Sequence, residues 1–159
     1  MRLLDTTLLS NFAQIERLDL LVMALPDAST TPQVMAEIQQ GEAAGRLPPG
    51  DWNWLTIVAL TSDELAHFER LRRVLDDGEA SCLAVTLTRS GTFFSDDRDA
   101  RRYGQQLGRP VSGTLGVLAL LVRGQHLTLA QANALLQAMI QAGYHSPVNA
   151  LEEAYDFGK

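Results

Sequence analysis

Lysine is almost absent from this chain of 159 residues: Lys159 is the only one, and every other basic side chain is an arginine. With 19 acidic against 13 basic residues, the formal net charge is -6. That balance argues against a nucleic-acid partner held by a broad basic surface. It leaves room for a nuclease, because bound divalent cations offset clustered acidic charge. Cysteine is equally scarce. Cys82 stands alone and excludes an internal disulfide; with no signal-peptide pattern after Met1, a cytoplasmic home is expected. No apolar run approaches the ~20 residues needed to span a bilayer, and the longest, residues 115–122, is too short. The histidines, His67, His126 and His145, are scattered without ligand spacing, so neither a zinc site nor a catalytic triad is supported. Internal repeats and low-complexity segments are missing as well.

What is present suits a folded protein: 46% of the residues are hydrophobic, enough for a sizeable core in a single domain over 1–159. Leu3-Leu4 reads as a very short strand that ends in Asp5 and runs into a helical pattern carrying Leu8, Leu9, Phe12 and Ile15. The pattern continues to Met23 as helix or helix–turn, and 24–30 is irregular or a short strand. Thr31-Pro32 is a strong helix start, since the hydroxyl caps and proline suits the first helical position. That helix carries Val34, Met35, Glu37 and Ile38 and stops at Gly41 or Gly45. After the turn at 47–50, residues 54–60 (WLTIVAL) have strand composition. Thr61 then opens a helix through Leu65, Phe68, Leu71 and Leu75.

The stretch 75–103 concentrates the acids. Asp76-Asp77-Gly78-Glu79 opens a helix with an apolar face of Cys82, Leu83, Val85 and Leu87, stopped by Ser90-Gly91. Residues 92–95 are β-prone and end in Asp96-Asp97, and 97–107 forms the next helix. A turn with at most a very short strand follows at 108–111, then a helix from 112–114 through Val122 and a last one over 129–141. The tail from about 147 is expected to be loosely held. Short strands alternating with helices predict an α/β sandwich around a parallel sheet, with helix dominant.

Acids thus stand at several element ends: Asp5, Glu37, Asp76 to Glu79, and Asp96-Asp97. In an open α/β sheet ligands bind beyond the carboxyl ends of the strands. Carboxylates that converge there repel one another unless a cation sits between them, and Mg2+ or Mn2+ is the natural partner. The chemistry served by such a site is in-line attack on a phosphodiester. Spacing alone leaves a solvated surface equally open: Asp97 also suits a helix N-cap, and Glu79 a first-turn acid favoured by the helix dipole.

These residues resemble a family. Asp5-Thr6-Thr7-Leu8-Leu9 and Thr31-Pro32-Gln33-Val34-Met35-Ala36-Glu37-Ile38 are similar to the first two motifs of PIN-domain nucleases, and Asp77-Gly78-Glu79 and Asp96-Asp97-Arg98-Asp99-Ala100-Arg101 to the other two. Val111-Ser112-Gly113-Thr114-Leu115-Gly116 resembles a PIN-like branch related to VapC-type toxins. The resemblance implies a three-layer α/β/α fold, a Mg2+-dependent ribonuclease, an RNA substrate, and for the toxin branch a silencing antitoxin protein. It also implies roles. Asp5, Glu37, Glu79 and Asp97 would form the catalytic acidic site, with Asp96 the alternative to Asp97, and Thr7 would lie near the metal. Glu79 is a departure, because many relatives carry Asp there.

Other signals give each a functional and a plain reading. Arg98, Arg101 and Arg102 are candidates for RNA phosphate, being bidentate donors that follow the acidic pair. Ser112 and Thr114 at a helix start could hold a phosphate or simply cap. Residues 108–114 (GRPVSGT) lack the lysine of a nucleotide-binding loop. Trp52 and Trp54 suit base stacking or core. Leu8, Leu20 and Leu21 suit a homodimer or inhibitor surface if exposed, and the core if not.

Overall fold

The computed structural model describes residues 1–158. Five short strands, β1 (Arg2–Leu4), β2 (Ser29–Thr30), β3 (Thr56–Ile57), β4 (Thr92–Phe94) and β5 (Val111–Ser112), form one sheet in the order β3-β2-β1-β4-β5 with every neighbouring pair parallel. Helices connect them: α1 (Thr6–Gln14) and α2 (Leu18–Ala24), α3 (Pro32–Ala43), α4 (Ser62–Leu71) and α5 (Asp77–Arg89), and α6 (Arg98–Gln106); α7 (Thr114–Arg123) and α8 (Leu129–Gln141) follow the last strand. This is the helix-rich, three-layer α/β/α arrangement expected of a PIN-like fold. The central strands are buried on both faces: Leu3, Leu4, Phe93 and Phe94 all lie in the core, as a covered parallel sheet requires. Among the described residues no helix is long and apolar enough to cross a membrane.

Local chemistry starts the helices where the sequence says. Thr31 caps α3 through Val34 N at 3.2 Å with Pro32 in the first turn, and Thr128 and Gln131 close a capping box on α8. The chain leaves β1 toward β2 on one side, while β4 lies on the other, so the order reverses at the carboxyl ends of β1 and β4. A parallel sheet opens its ligand crevice at such a point.

Four expectations are corrected. The strand foreseen over 54–60 shrinks to Thr56–Ile57, because it sits at the sheet edge with β2 as its one neighbour and both residues exposed. The helix opened at Thr61 ends at Leu71, short of Leu75. The segment after Pro147 is anchored: Leu151 is fully buried and its N–H donates to Asn133 Oδ1 at 2.8 Å. Leu8, Leu20 and Leu21 belong to the core and offer no surface to a partner.

Candidate active site

At Asp5 the chain turns from sheet into helix. Its N–H donates to Phe94 O at 3.0 Å, which locks the end of β1 beside the end of β4. Its Oδ1 accepts from Leu8 N at 3.1 Å, capping α1, and from the Thr7 hydroxyl at 2.7 Å. Its Oδ2 is buried and has no hydrogen-bond partner. The residue is 0% exposed, and burial pushes its carboxyl up to about 7 against the pull of the nearby Ser95 and Thr7 hydroxyls. The Ser95 hydroxyl, which accepts from Asp97 N at 3.1 Å and lies 3.4 Å from Thr7 Oγ1, favours the charged form without bonding Oδ2.

Glu79 lies in the first turn of α5. It accepts from Asp76 N at 3.3 Å while Asp76 accepts from Glu79 N at 2.9 Å, a reciprocal capping box. Burial, then the charges of Asp76, Asp97 and Asp5, push its carboxyl up to about 8. Those carboxylates therefore share one neighbourhood, since a charge in protein acts appreciably at short range. Asp97 caps α6 through Ala100 N at 2.8 Å. The plain readings of Asp97 as N-cap and Glu79 as first-turn acid are thus real, yet they use half of each group. In Asp5, Glu79 and Asp97 alike, one carboxylate oxygen secures a helix start and the other takes no hydrogen bond among the described residues.

Glu37 stands differently. Its Oε1 accepts from Gly78 N at 2.8 Å and its Oε2 from the Thr6 hydroxyl, so both oxygens are engaged. Burial raises its carboxyl, with the charges of Asp76 and Asp77 adding to the shift. It flanks the other three through the neighbours of Asp5 and Glu79. Glycine at 78 makes that possible, because a Cβ there would lie 2.5 Å from Glu37 Oε2.

Asp96 faces another direction. It accepts from Thr114 N at 2.8 Å, from the Thr114 hydroxyl, and from Asn11 Nδ2 at 2.7 Å. Burial raises its carboxyl and those donors offset the rise. Its own N–H donates to Thr7 Oγ1 at 2.8 Å, so Thr7 ties Asp5 to Asp96. Of the two readings open at 112–114, the structure has Thr114 fully buried with N–H and hydroxyl both on Asp96, so the anion at the start of α7 is the protein's own carboxylate. Ser112 is half-buried and pressed under Gly116, where a Cβ would come within 2.2 Å of its Oγ.

Beside Asp96 opens a cleft of about 630 Å3 lined by Arg98, Arg101 and Arg102 together with Tyr144 and Tyr155 of the C-terminal segment. Arg101 Nη1 donates to Ser95 O at 2.9 Å, Arg102 pairs with Asp99 at 2.9 Å, and Arg98 makes no hydrogen bond or ion pair among the described residues. The more N-terminal arginines behave as a solvated face, with Arg72 between Glu69 and Asp77. The residues not foreseen are Asn11, Tyr144 and Tyr155. Asn11 carried a signal, lying one helical turn after Thr7 on the same face of α1; Tyr155 lies in the tail expected to be loose, and Tyr144 just before it carried no signal.

Among the described residues no three Asp, Glu, His or Cys side chains stand arranged to grip one ion. The donor chemistry fits a hard divalent cation all the same. A buried carboxylate oxygen without a donor lies among mutually repelling carboxylates, and a divalent cation would relieve both while leaving the carboxylates charged.

The sequence profile of a family described as a PIN domain matches residues 1–157. No curated protein and no solved structure matches the chain.

Proposed function

The chain belongs to the PIN-domain family, and from that premise we propose that it is a Mg2+- or Mn2+-dependent ribonuclease acting at the carboxyl ends of β1 and β4. One observation carries the reading: Asp5, wholly buried at the sheet's crevice, keeps an oxygen that no protein donor satisfies. An orphaned buried carboxylate is costly; it is relieved by a proton or by a cation, and a divalent cation would keep it ionised and useful for chemistry. Asp5, Glu79 and Asp97 would hold the ion, with their oxygens that cap no helix. Glu37, held by Thr6 and Gly78, would orient water or a second ion from the flank. When bound, the divalent ion supplies an activated water and charge at the leaving oxygen for in-line attack on phosphorus.

The protein's own part is orientation. Thr7 fixes Asp5 by donating to Oδ1 and positions the β4 end by accepting from Asp96 N. Asp96 holds α1 and α7 to that end and takes no metal in this reading, which favours Asp97 of the adjacent pair. Arg98 and Arg102 present guanidinium groups to RNA phosphate from α6. If the chain acts as the toxin of a toxin–antitoxin pair, an inhibitor or a homodimer must use surface other than Leu8, Leu20 and Leu21.

The test is RNA cleavage in Mg2+ by purified protein and by Asp5→Asn and Asp97→Asn, with circular dichroism to confirm folding. The reading expects cleavage that both substitutions abolish; activity unchanged in both removes it. A second reading, a catalytically silent PIN-like module that binds nucleic acid or protein, is favoured by the commitment of Asp5, Glu79 and Asp97 to helix starts. It expects binding without cleavage at every Mg2+ or Mn2+ concentration.

A further inference from the structure

We propose that the cleft between α6, the start of α7 and the C-terminal segment is a subsite for one unstacked nucleotide of single-stranded RNA, placed next to the carboxylate pocket. The identity of the polymer rests on the ribonuclease reading; the cleft and its chemistry do not.

The cleft is roomy, about 630 Å3, and Asp96 is common to its lining and to the Thr7 bridge that leads to Asp5. Its lining is of two kinds. One is cationic, Arg98 and Arg102 from α6, both exposed, the first without a partner among the described residues and the second held by a surface pair of the sort that contributes little. Both are free to turn to a phosphate. The other is aromatic, the half-buried rings of Tyr144 and Tyr155. Burial, then the neighbouring Asp96 carboxylate, pushes the Tyr144 phenol up, so the ring stays neutral and offers a base an uncharged face.

The aromatic wall is held in place. Leu151 is sunk in the core, Gln137 Nε2 donates to Asn149 O at 2.7 Å, and the Arg123 guanidinium lies 5.5 Å from the Tyr155 ring centre. Asp96 does not repel an incoming phosphate as a free carboxylate would, because Thr114 and Asn11 donate to both its oxygens. Arg101, anchored on Ser95 O, adds positive charge beside it. Guanidinium groups and aromatic rings lining one groove are the elements with which proteins take single-stranded nucleic acid, the one for phosphate and the other for base. A duplex keeps its bases stacked inward and has none to place in such a cleft. The acidic pocket and the basic cleft, side by side, would thus receive consecutive parts of one strand.

Fluorescence anisotropy of a short labelled single-stranded RNA with the full chain, in EDTA so that nothing is cut, tests this directly. Wild type should bind the single strand at least about tenfold more tightly than the same sequence as duplex, and Tyr144→Ala should lose about tenfold. Tyr144→Phe should retain affinity, because stacking survives. Arg98→Ala, at an exposed residue whose loss leaves the fold untouched, should weaken binding severalfold and flatten its salt dependence. Unchanged affinity in both Tyr144→Ala and Arg98→Ala, or equal binding of duplex, overturns the subsite. If wild type cleaves RNA in Mg2+ with a KM that neither substitution moves, the subsite falls and the ribonuclease reading stands. If the protein never cleaves yet both substitutions lose single-strand affinity, the subsite stands and the ribonuclease reading falls.

Discussion

Glu64 and Glu79 open two packed helices in the same way and end in opposite electrostatic states. Each closes a capping box from the first turn, and each is nearly inaccessible, 1% and 6% exposed. Glu64 meets Arg89, whose Nε and Nη2 donate at 2.7 and 2.9 Å, and the Thr88 hydroxyl at 2.6 Å; the arginine foremost holds its carboxyl down to about 2. Glu79 has the Asp76 N–H and, around it, Asp76, Asp97 and Asp5, and its carboxyl rises to about 8. The capping motif therefore explains where a helix begins and says nothing of the charge beside it. At Glu64 the fold brings an arginine; at the crevice it brings more acids, and the proposed cation site rests on that difference.

The largest effect should come from exchanging the charges of these two glutamates in turn. Glu79→Gln should lower Mg2+-dependent RNA cleavage at least about a hundredfold, by loss of a group that holds or orients the ion. Glu64→Gln should leave cleavage by the folded protein unchanged, as steady-state assays on both variants would reveal. Stability should respond the other way. Urea unfolding of metal-free protein should show Glu64→Gln less stable by about 1–2 kcal/mol, through loss of a half-buried charged pair. Glu79→Gln should lose nothing. Equal losses in the two variants would break the contrast.

Acid sharpens it further. Glu64 has a folded pKa of about 2, below its ordinary 4.5, so its contribution is complete above about pH 4.5 and fades as pH falls toward 2. Acid unfolding followed by circular dichroism should therefore be shallower in Glu64→Gln than in wild type across that window. A smaller change is expected at Gly78→Ala. Alanine suits a helix better by about 1 kcal/mol, yet its Cβ would strike Glu37 Oε2, and the displacement should leave the protein about 1–2 kcal/mol less stable by urea titration.

Much of this was legible in the chain because it is local. The strand running into Asp5, the Thr31-Pro32 helix start and the stop at Ser90-Gly91 each depend on a few adjacent residues, and the structure has all three. The direction of Asp96 was not legible: its partners, Asn11 and Thr114, lie 85 and 18 residues away. Nor was the neutralisation of Glu64, whose arginine is 25 residues on. Residues 54–60 have the composition of a strand, but a strand is as long as its neighbour allows, and β2 offers two residues. The anchoring of the tail was not legible either, because it depends on one fully buried leucine, Leu151, whose N–H bonds Asn133 18 residues earlier.

Thermal melting with and without Mn2+, for wild type and Asp5→Asn, probes the claim at the centre of this account. A cation taken up by the folded state alone raises the melting temperature in proportion to its binding. Wild type should shift upward as Mn2+ is added, and Asp5→Asn, which replaces the orphaned oxygen with an uncharged amide, should not. A wild type indifferent to Mn2+, or a variant that shifts as far, would contradict it.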